Sequence, residues 1–139
     1  MIKAYLDTNV IFDLLLEREP YVRETQALFR AFEANKAKAY VCALSFPNLH
    51  YLLRKKFGNP ESVKALKNLS ALVSILPVDG KTIALALESG FGDFEDAVQY
   101  FAALEGGMTS ILTRDLKGFK KSKIQVYTPG EFLGMLASS

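Results

Sequence analysis

The 139-residue chain holds one cysteine and one histidine, carries a formal net charge of only +2, and has no long apolar run. Each shortage excludes something. A single cysteine rules out an intramolecular disulfide framework and suits a reducing compartment. Cys42 lies within the apolar stretch Tyr40-Val41-Cys42-Ala43-Leu44, so it reads as a small buried hydrophobe rather than a nucleophile. His50 stands alone, and no serine–histidine or cysteine–histidine arrangement offers nucleophilic catalysis; an ordinary surface or packing role is expected for it. The net charge implies neither nucleic acid nor membrane, and only its distribution can argue for a partner. No segment approaches the roughly 20 apolar residues that span a bilayer. Asp7 and Asp13 interrupt the apolar N-terminal stretch, which also lacks a small-residue cleavage site, so it is not a signal peptide. A soluble, cytoplasmic protein without membrane association is expected. Half of the residues are hydrophobic and 23% are charged, an ordinary globular balance. With no linker, repeat or low-complexity tract, residues 1–139 read as one domain, large enough to bury a core without staples.

Strand-like and helix-like stretches alternate along the chain. Strands are expected at 2–6, 39–43, 73–78 and 110–113, with a weak fifth at 124–127. Helices are expected at 10–16, from Pro20 through Phe32, from Ser45 as N-cap to Phe57, after Gly58-Asn59-Pro60 to about Leu72, from Asp79 to about Ser89, from Asp93 to Glu105, and at 129–136. Strands separated by helices argue for crossover connections. The expected fold class is α/β: a three-layer α/β/α domain around a mostly parallel sheet of four to five strands.

Two aspartates then stand out. Asp7 closes Ile2-Lys3-Ala4-Tyr5-Leu6, and Asp115 follows Ser110-Ile111-Leu112-Thr113-Arg114. If both runs are parallel strands, their carboxyl ends share the sheet edge at which open α/β folds bind ligands. Carboxylates gathered there repel one another unless one protonates or a cation joins them. On the helix from Asp93, at about 100° per residue, Phe94, Ala97, Val98 and Phe101 form the expected core stripe. Glu95, Gln99, Ala102 and Glu105 fall on an expected solvent side, with Glu95 outside any site. Asp93 and Asp96 are neighbours on a third arc. Asp93 also suits an N-cap, and acids in a first turn favour the helix dipole. Asp96 lies deeper among apolar neighbours, where a charge needs a partner. For the set, shared metal binding is the better account.

Asp7-Thr8-Asn9-Val10, then Asp93-Phe94-Glu95-Asp96-Ala97, then Thr113-Arg114-Asp115 resemble the PIN-domain family, whose best-known members are VapC-type ribonuclease toxins of toxin–antitoxin pairs. The similarity runs over essentially the whole chain, in order and at the family's usual length. It implies a Mg²⁺- or Mn²⁺-dependent ribonuclease, with Asp7, Asp96 and Asp115 as central ligands, Asp93 nearby, and Asn9 and Thr113 helping to arrange the site. One departure matters. The family commonly carries a glutamate on the helix after the second strand, and Asn48 stands where that acid would be. Asparagine can still coordinate or hold a metal-bound water, but it brings no charge, and a second metal would bind less well. The alternative is a PIN-fold RNA-binding or interaction protein with a weakened site. A haloacid-dehalogenase-like phosphatase wants a second acid at Asn9, and a response-regulator receiver wants a lysine where Tyr127-Thr128-Pro129 stands.

Arg114, Lys117, Lys120 and Lys121, followed by Lys123, surround Asp115. They either hold an RNA backbone, whose binding is largely electrostatic, or form a solvated loop. Arg54-Lys55-Lys56 reads as a solvated helix end. An antitoxin or a homodimer partner could use apolar residues of the early helices, including Leu14 to Leu16 and Phe29, although such residues are more often core.

Overall fold

The computed structural model describes residues 1–138. Five strands, β1 (Lys3–Leu6), β2 (Lys38–Cys42), β3 (Ser74–Leu76), β4 (Ser110–Leu112) and β5 (Gln125–Tyr127), form one sheet in the order β3-β2-β1-β4-β5. Every pairing is parallel. Among the described residues six helices connect them, α1 (Thr8–Leu15), α2 (Val22–Glu33), α3 (Ser45–Phe57), α4 (Asn59–Leu72), α5 (Gly80–Glu88) and α6 (Phe94–Glu105), and α7 (Pro129–Ala137) follows β5. A single 3-10 turn, Leu116–Phe119, follows β4. This is the expected α/β/α architecture, with boundaries shifted by a few residues and β3 half as long as the sequence indicated.

Side-chain alternation along the strands separates two cores. Ala4, Leu6, Val41 and Leu112 face a cluster with Val10, Leu28, Phe32, Leu49, Leu53, Leu69 and Phe132, contributed by α1, α2, α3, α4 and α7. Tyr5, Cys42 and Ile111 face the other way, against Tyr100, Ala102 and Ala103 of α6, with Leu76 and Phe119. Both faces are thus covered, as an all-parallel sheet requires. Phe29 is buried in the first core, and Leu14 to Leu16 pack against it while remaining partly exposed. Cys42 is buried and free.

Helix α6 is rotated from its expected orientation. Gln99, Ala102 and Ala103 are buried, whereas Phe94 is 50% exposed. Ala97 and Val98 of the expected core stripe are fully buried and Phe101 packs against the core, so the buried face is wider than expected and takes in Gln99 and Ala102 while leaving Phe94 out. Ser45 also departs from its expected role. It lies inside α3, whose N-cap is Leu44. Its buried hydroxyl sits 2.7 Å from that of Thr8 and ties α3 to α1. Asp79 and Thr128 both cap their helices through reciprocal capping boxes.

Sheet order reverses at β1: β2 and β3 lie on one side, β4 and β5 on the other. The crevice beyond the carboxyl ends of β1 and β4 is therefore a topological switch point, the place where such sheets bind ligands. Asp7 and Asp115 follow these two strands.

Candidate metal centre

Asp7 occupies the N-cap position of α1 but makes no side-chain cap bond, so its carboxylate is free for other partners. Both of its oxygens are held. Oδ1 accepts from Gln99 Nε2 at 3.0 Å, and Oδ2 accepts from the Thr113 hydroxyl at 2.8 Å. Thr113 Oγ1 in turn accepts from the Asp115 backbone N–H at 3.0 Å. One hydroxyl thus fixes the Asp7 carboxylate and the main chain that carries Asp115. Gln99 is itself held: its Oε1 accepts from Tyr5 Oη at 2.9 Å and from Thr8 N and Oγ1, each at 3.2 Å. These acceptor contacts leave its amide N–H₂ facing Asp7. Burial pushes the Asp7 carboxyl up from the usual carboxylate range, against the lowering effect of Thr113, Gln99, the Asn9 amide and Arg114.

Asp93 caps α6 by accepting from Asp96 N at 2.9 Å, which is the expected cap, and Asp96 then projects into the crevice from the first turn. Its carboxyl is pushed up to about 7, first by burial and then by the charges of Asp7, Asp93, Asp115 and Glu95. Gly118, in the 3-10 turn, closes the arrangement. A Cβ there would stand 2.6 Å from Asp96 Oδ2 and 3.4 Å from Asp115 Oδ2. The absence of a side chain makes the room in which those two oxygens approach a common point. Sequence reasoning passed over both Gly118 and Gln99. A glycine three residues beyond Asp115 was the available signal for the first; the second sat on an arc taken for solvent.

Glu95 also departs from expectation. It accepts from Asn48 Nδ2 at 3.1 Å, and burial together with the charges of Asp93 and Asp7 raises its carboxyl pKa. It therefore lies at the rim of the acidic centre, joined to the residue that stands where the α3 glutamate was expected. The Asn9 side chain is exposed and lines a neighbouring concavity with Thr8 and Asn48.

Asp93, Asp96, Asp115 and Gly118 line a cavity of about 480 Å³ together with Lys117, Lys120 and Lys121. Among the described residues none of these lysines is ion-paired with an acid of the centre. Lys121 donates to Gly90 O at 2.7 Å and so pins the turn before α6. Arg114 does not join this rim. Its guanidinium donates to the buried Asp13 at 2.8 and 3.3 Å and lies 4.4 Å from the Tyr21 ring centroid. Asp13, 1% exposed, needs that counter-charge, and this local demand turns Arg114 away from solvent. His50 is bonded to Asn59 Oδ1 at 2.7 Å.

Among the described residues, no three His, Cys, Asp or Glu side chains form a ready-made metal cage. The donor chemistry still fits a hard divalent cation. The donors are all oxygens, burial and then the neighbouring charges push Asp96 toward protonation, and the missing side chain of Gly118 lets the Asp96 carboxylate lie close to Asp115. Mg²⁺ keeps several waters and takes only one or two protein carboxylates directly.

Fold and site together define a class: a parallel α/β domain with an acidic, lysine-rimmed centre at its switch point. The family profile of the PIN domain matches residues 3–117, and the chain belongs to the PIN-domain family. It is 28% identical over 135 residues to Ribonuclease VapC1 of Aquifex aeolicus (strain VF5), covering 94% of this chain and 92% of that protein. Among solved structures it is similar to VapBC-1 from nontypeable Haemophilus influenzae, with a TM-score of 0.70, 15% identity, and coverage of 93% of this chain and 99% of that one. FitAcB from Neisseria gonorrhoeae gives a TM-score of 0.69 at 20% identity, over 91% of this chain and 98% of that one. Mycobacterium tuberculosis VapC20, described as a sarcin–ricin loop cleaving toxin, gives 0.66 at 14% identity, over 85% and 94%. No helix among the described residues is long and apolar enough to cross a membrane.

Proposed function

We propose that this protein is a Mg²⁺- or Mn²⁺-dependent endoribonuclease of VapC type, acting in the cytoplasm as the toxin of a toxin–antitoxin pair. The observation that supports the activity is a cavity lined by Asp93, Asp96, Asp115, Lys117 and Lys120, in which Asp96 also feels the charge of the buried Asp7. The relative from Aquifex aeolicus, a ribonuclease by name, supports RNA as the substrate. The similarity to toxin–antitoxin complexes supports an antitoxin partner.

A bound divalent ion would neutralise charge developing on the phosphate and make a water easier to deprotonate at neutral pH. Asp7, Asp96 and Asp115 would hold it, with Asp93 beside them. Gln99 and Thr113 keep Asp7 oriented so that both of its oxygens face a fixed direction. Lys117 and Lys120 would bind phosphates flanking the cut, and Lys121 would do so while anchoring the Gly90 turn. Asn48 supplies no charge, so the α3 side of the centre relies on the Glu95 carboxylate that Asn48 holds.

Cleavage of RNA by the purified protein in Mg²⁺, Mn²⁺ and EDTA tests this reading, with Asp7→Asn and Asp96→Asn as controls. Metal-dependent cleavage lost in both variants is expected. Cleavage no greater than theirs would leave the second reading, a PIN-fold RNA-binding protein, which the uncharged Asn48 favours. A large gain in activity on Asn48→Glu would show the native site to be incomplete. Light scattering at several concentrations, with and without the antitoxin, tests the proposed homodimer.

A further inference from the structure

A second concavity, about 330 Å³ in volume, adjoins the acidic centre on the side of α1 and α3, where Asn9, Asn48, Tyr51, Leu52 and Glu95 line it. The Asn48–Glu95 hydrogen bond lies in its wall. Glu95 precedes Asp96 on α6, and Asn9 lies two residues beyond Asp7, so a chain crossing the centre enters this concavity next. Its lining mixes an aromatic and apolar surface, amides and the Glu95 carboxylate, and two cations stand beside it on α3. Tyr51 and Leu52, 52% and 42% exposed, offer a flat aromatic ring and an apolar edge to solvent. Asn9 and Asn48 are amides able to donate and accept, and the Asn48 amide nitrogen is already engaged by Glu95. Lys55 Nζ stands 4.2 Å from the Tyr51 ring centroid and the Arg54 guanidinium 5.7 Å, placing two cations at the rim. A peptide's apolar side chain would need neither the amides nor the cations. An unpaired nucleotide uses all three: stacking for its base, hydrogen bonds for the base edge, and positive charge for the phosphate.

We propose that this concavity is the subsite for an unpaired base of single-stranded RNA next to the phosphodiester held at the acidic centre. Tyr51 stacks on the base, Asn9 and Asn48 meet its edge, and Arg54 and Lys55 hold the adjoining phosphate. The proposal rests on the nuclease reading of the acidic centre, but its test does not depend on cleavage.

The test measures binding of a fluorescein-labelled single-stranded oligoribonucleotide by anisotropy, using Asp96→Asn protein to silence cleavage. Adding Tyr51→Ala should weaken binding roughly 5- to 150-fold, the range of one lost base–aromatic stack. Tyr51→Phe should stay within about twofold of the parent, because the stacking face is kept. An oligomer made abasic throughout should bind both variants equally. Tyr51 is exposed, so its removal leaves the core intact, and circular dichroism verifies this. Unchanged RNA affinity in Tyr51→Ala overturns the subsite, including the outcome in which that variant instead loses antitoxin binding. If wild-type protein cleaves RNA and Tyr51→Ala binds it normally, the subsite alone fails. If neither binding nor cleavage of RNA occurs, both readings fail.

Discussion

Replacing Asp96 with asparagine should make the metal-free protein more stable at pH 8. The carboxyl of Asp96 is pushed up to about 7 by burial and by four neighbouring acids. A carboxyl whose pKa is higher in the folded than in the unfolded chain weakens the fold wherever it is ionised. The penalty is therefore complete above about pH 7 and is relieved as pH falls toward 3.8, the ordinary value. Without screening, a rise from 3.8 to about 7 would cost the fold about 4 kcal/mol. Asp96 is only half-buried, however, and solvent and salt screen its neighbours, so about 1–2 kcal/mol is the realistic gain. For a chain of this size that is a rise of roughly 3–8 °C in Tm. The assay is thermal unfolding of wild type and Asp96→Asn in EDTA at pH 8 and pH 5. The gap between the two proteins should be widest at pH 8 and shrink at pH 5, where the wild-type group is largely protonated. Taking the difference cancels groups that titrate alike in both, such as Asp79, whose carboxyl is held low by its Thr82 contacts. Mg²⁺ or Mn²⁺ should then raise the wild-type Tm and leave that of the variant nearly unchanged. An Asp96→Asn protein no more stable than wild type at pH 8, or a gap that does not narrow at pH 5, would refute the argument.

Gln99→Leu should cost about 2–4 kcal/mol in urea unfolding, because the buried Tyr5 hydroxyl loses its acceptor and Asp7 a donor; a loss below about 0.5 kcal/mol would mean that the network relaxes freely. Gly118→Ala should lower divalent-ion affinity, read by calorimetry, by roughly tenfold, since its methyl group must displace the Asp96 carboxylate. Unchanged affinity would show that the opening is not used. Arg114→Ala should destabilise the fold by about 1–3 kcal/mol in urea unfolding, because the buried Asp13 then keeps only the 3.9 Å contact with Arg18; an unchanged midpoint would show that Arg18 suffices. Lys117→Ala and Lys120→Ala should instead leave stability alone, each reducing the salt dependence of RNA binding by about 0.7 in log–log slope; equal slopes before and after would remove these lysines from the RNA path.

The acids were legible in the sequence because strand ends and carboxyl edges follow from alternation alone: Asp7 after β1 and Asp115 after β4 needed no tertiary knowledge. Asp93 and Asp96 could be paired by helical spacing. What failed was the rotation of α6. A helical wheel ranks faces by apolar area; it placed Ala97, Val98 and Phe101 correctly, but it put the 50% exposed Phe94 inside and the buried Gln99 and Ala102 outside. Gln99 lies inward because hydrogen bonds to Tyr5, Thr8 and Asp7 make its burial tolerable, partners that no helical wheel contains. Arg114 misled for a related reason. Its neighbours in sequence are lysines of an exposed turn, but its partner, Asp13, lies on α1 and was invisible to any local argument. Gly118 was not recognised because its contribution is the absence of atoms at a point set by two distant side chains.

The hydroxyl contact from Thr113 to Asp7 joins residues 106 apart in sequence, and the β1–β4 pairing beneath it spans the same separation. Non-local parallel pairings of this kind form late, because loop-closure entropy must be overcome before they contribute. No fragment ending before β4 holds Thr113 or Asp115, and a ribosome must deliver β4 before Asp7 acquires its hydrogen bond to Thr113. The acids thus stay apart during most of synthesis. Folding itself is the step that separates an unarmed chain from a complete site, and any agent that unpairs β4 from β1 would dismantle the centre without touching a single carboxylate.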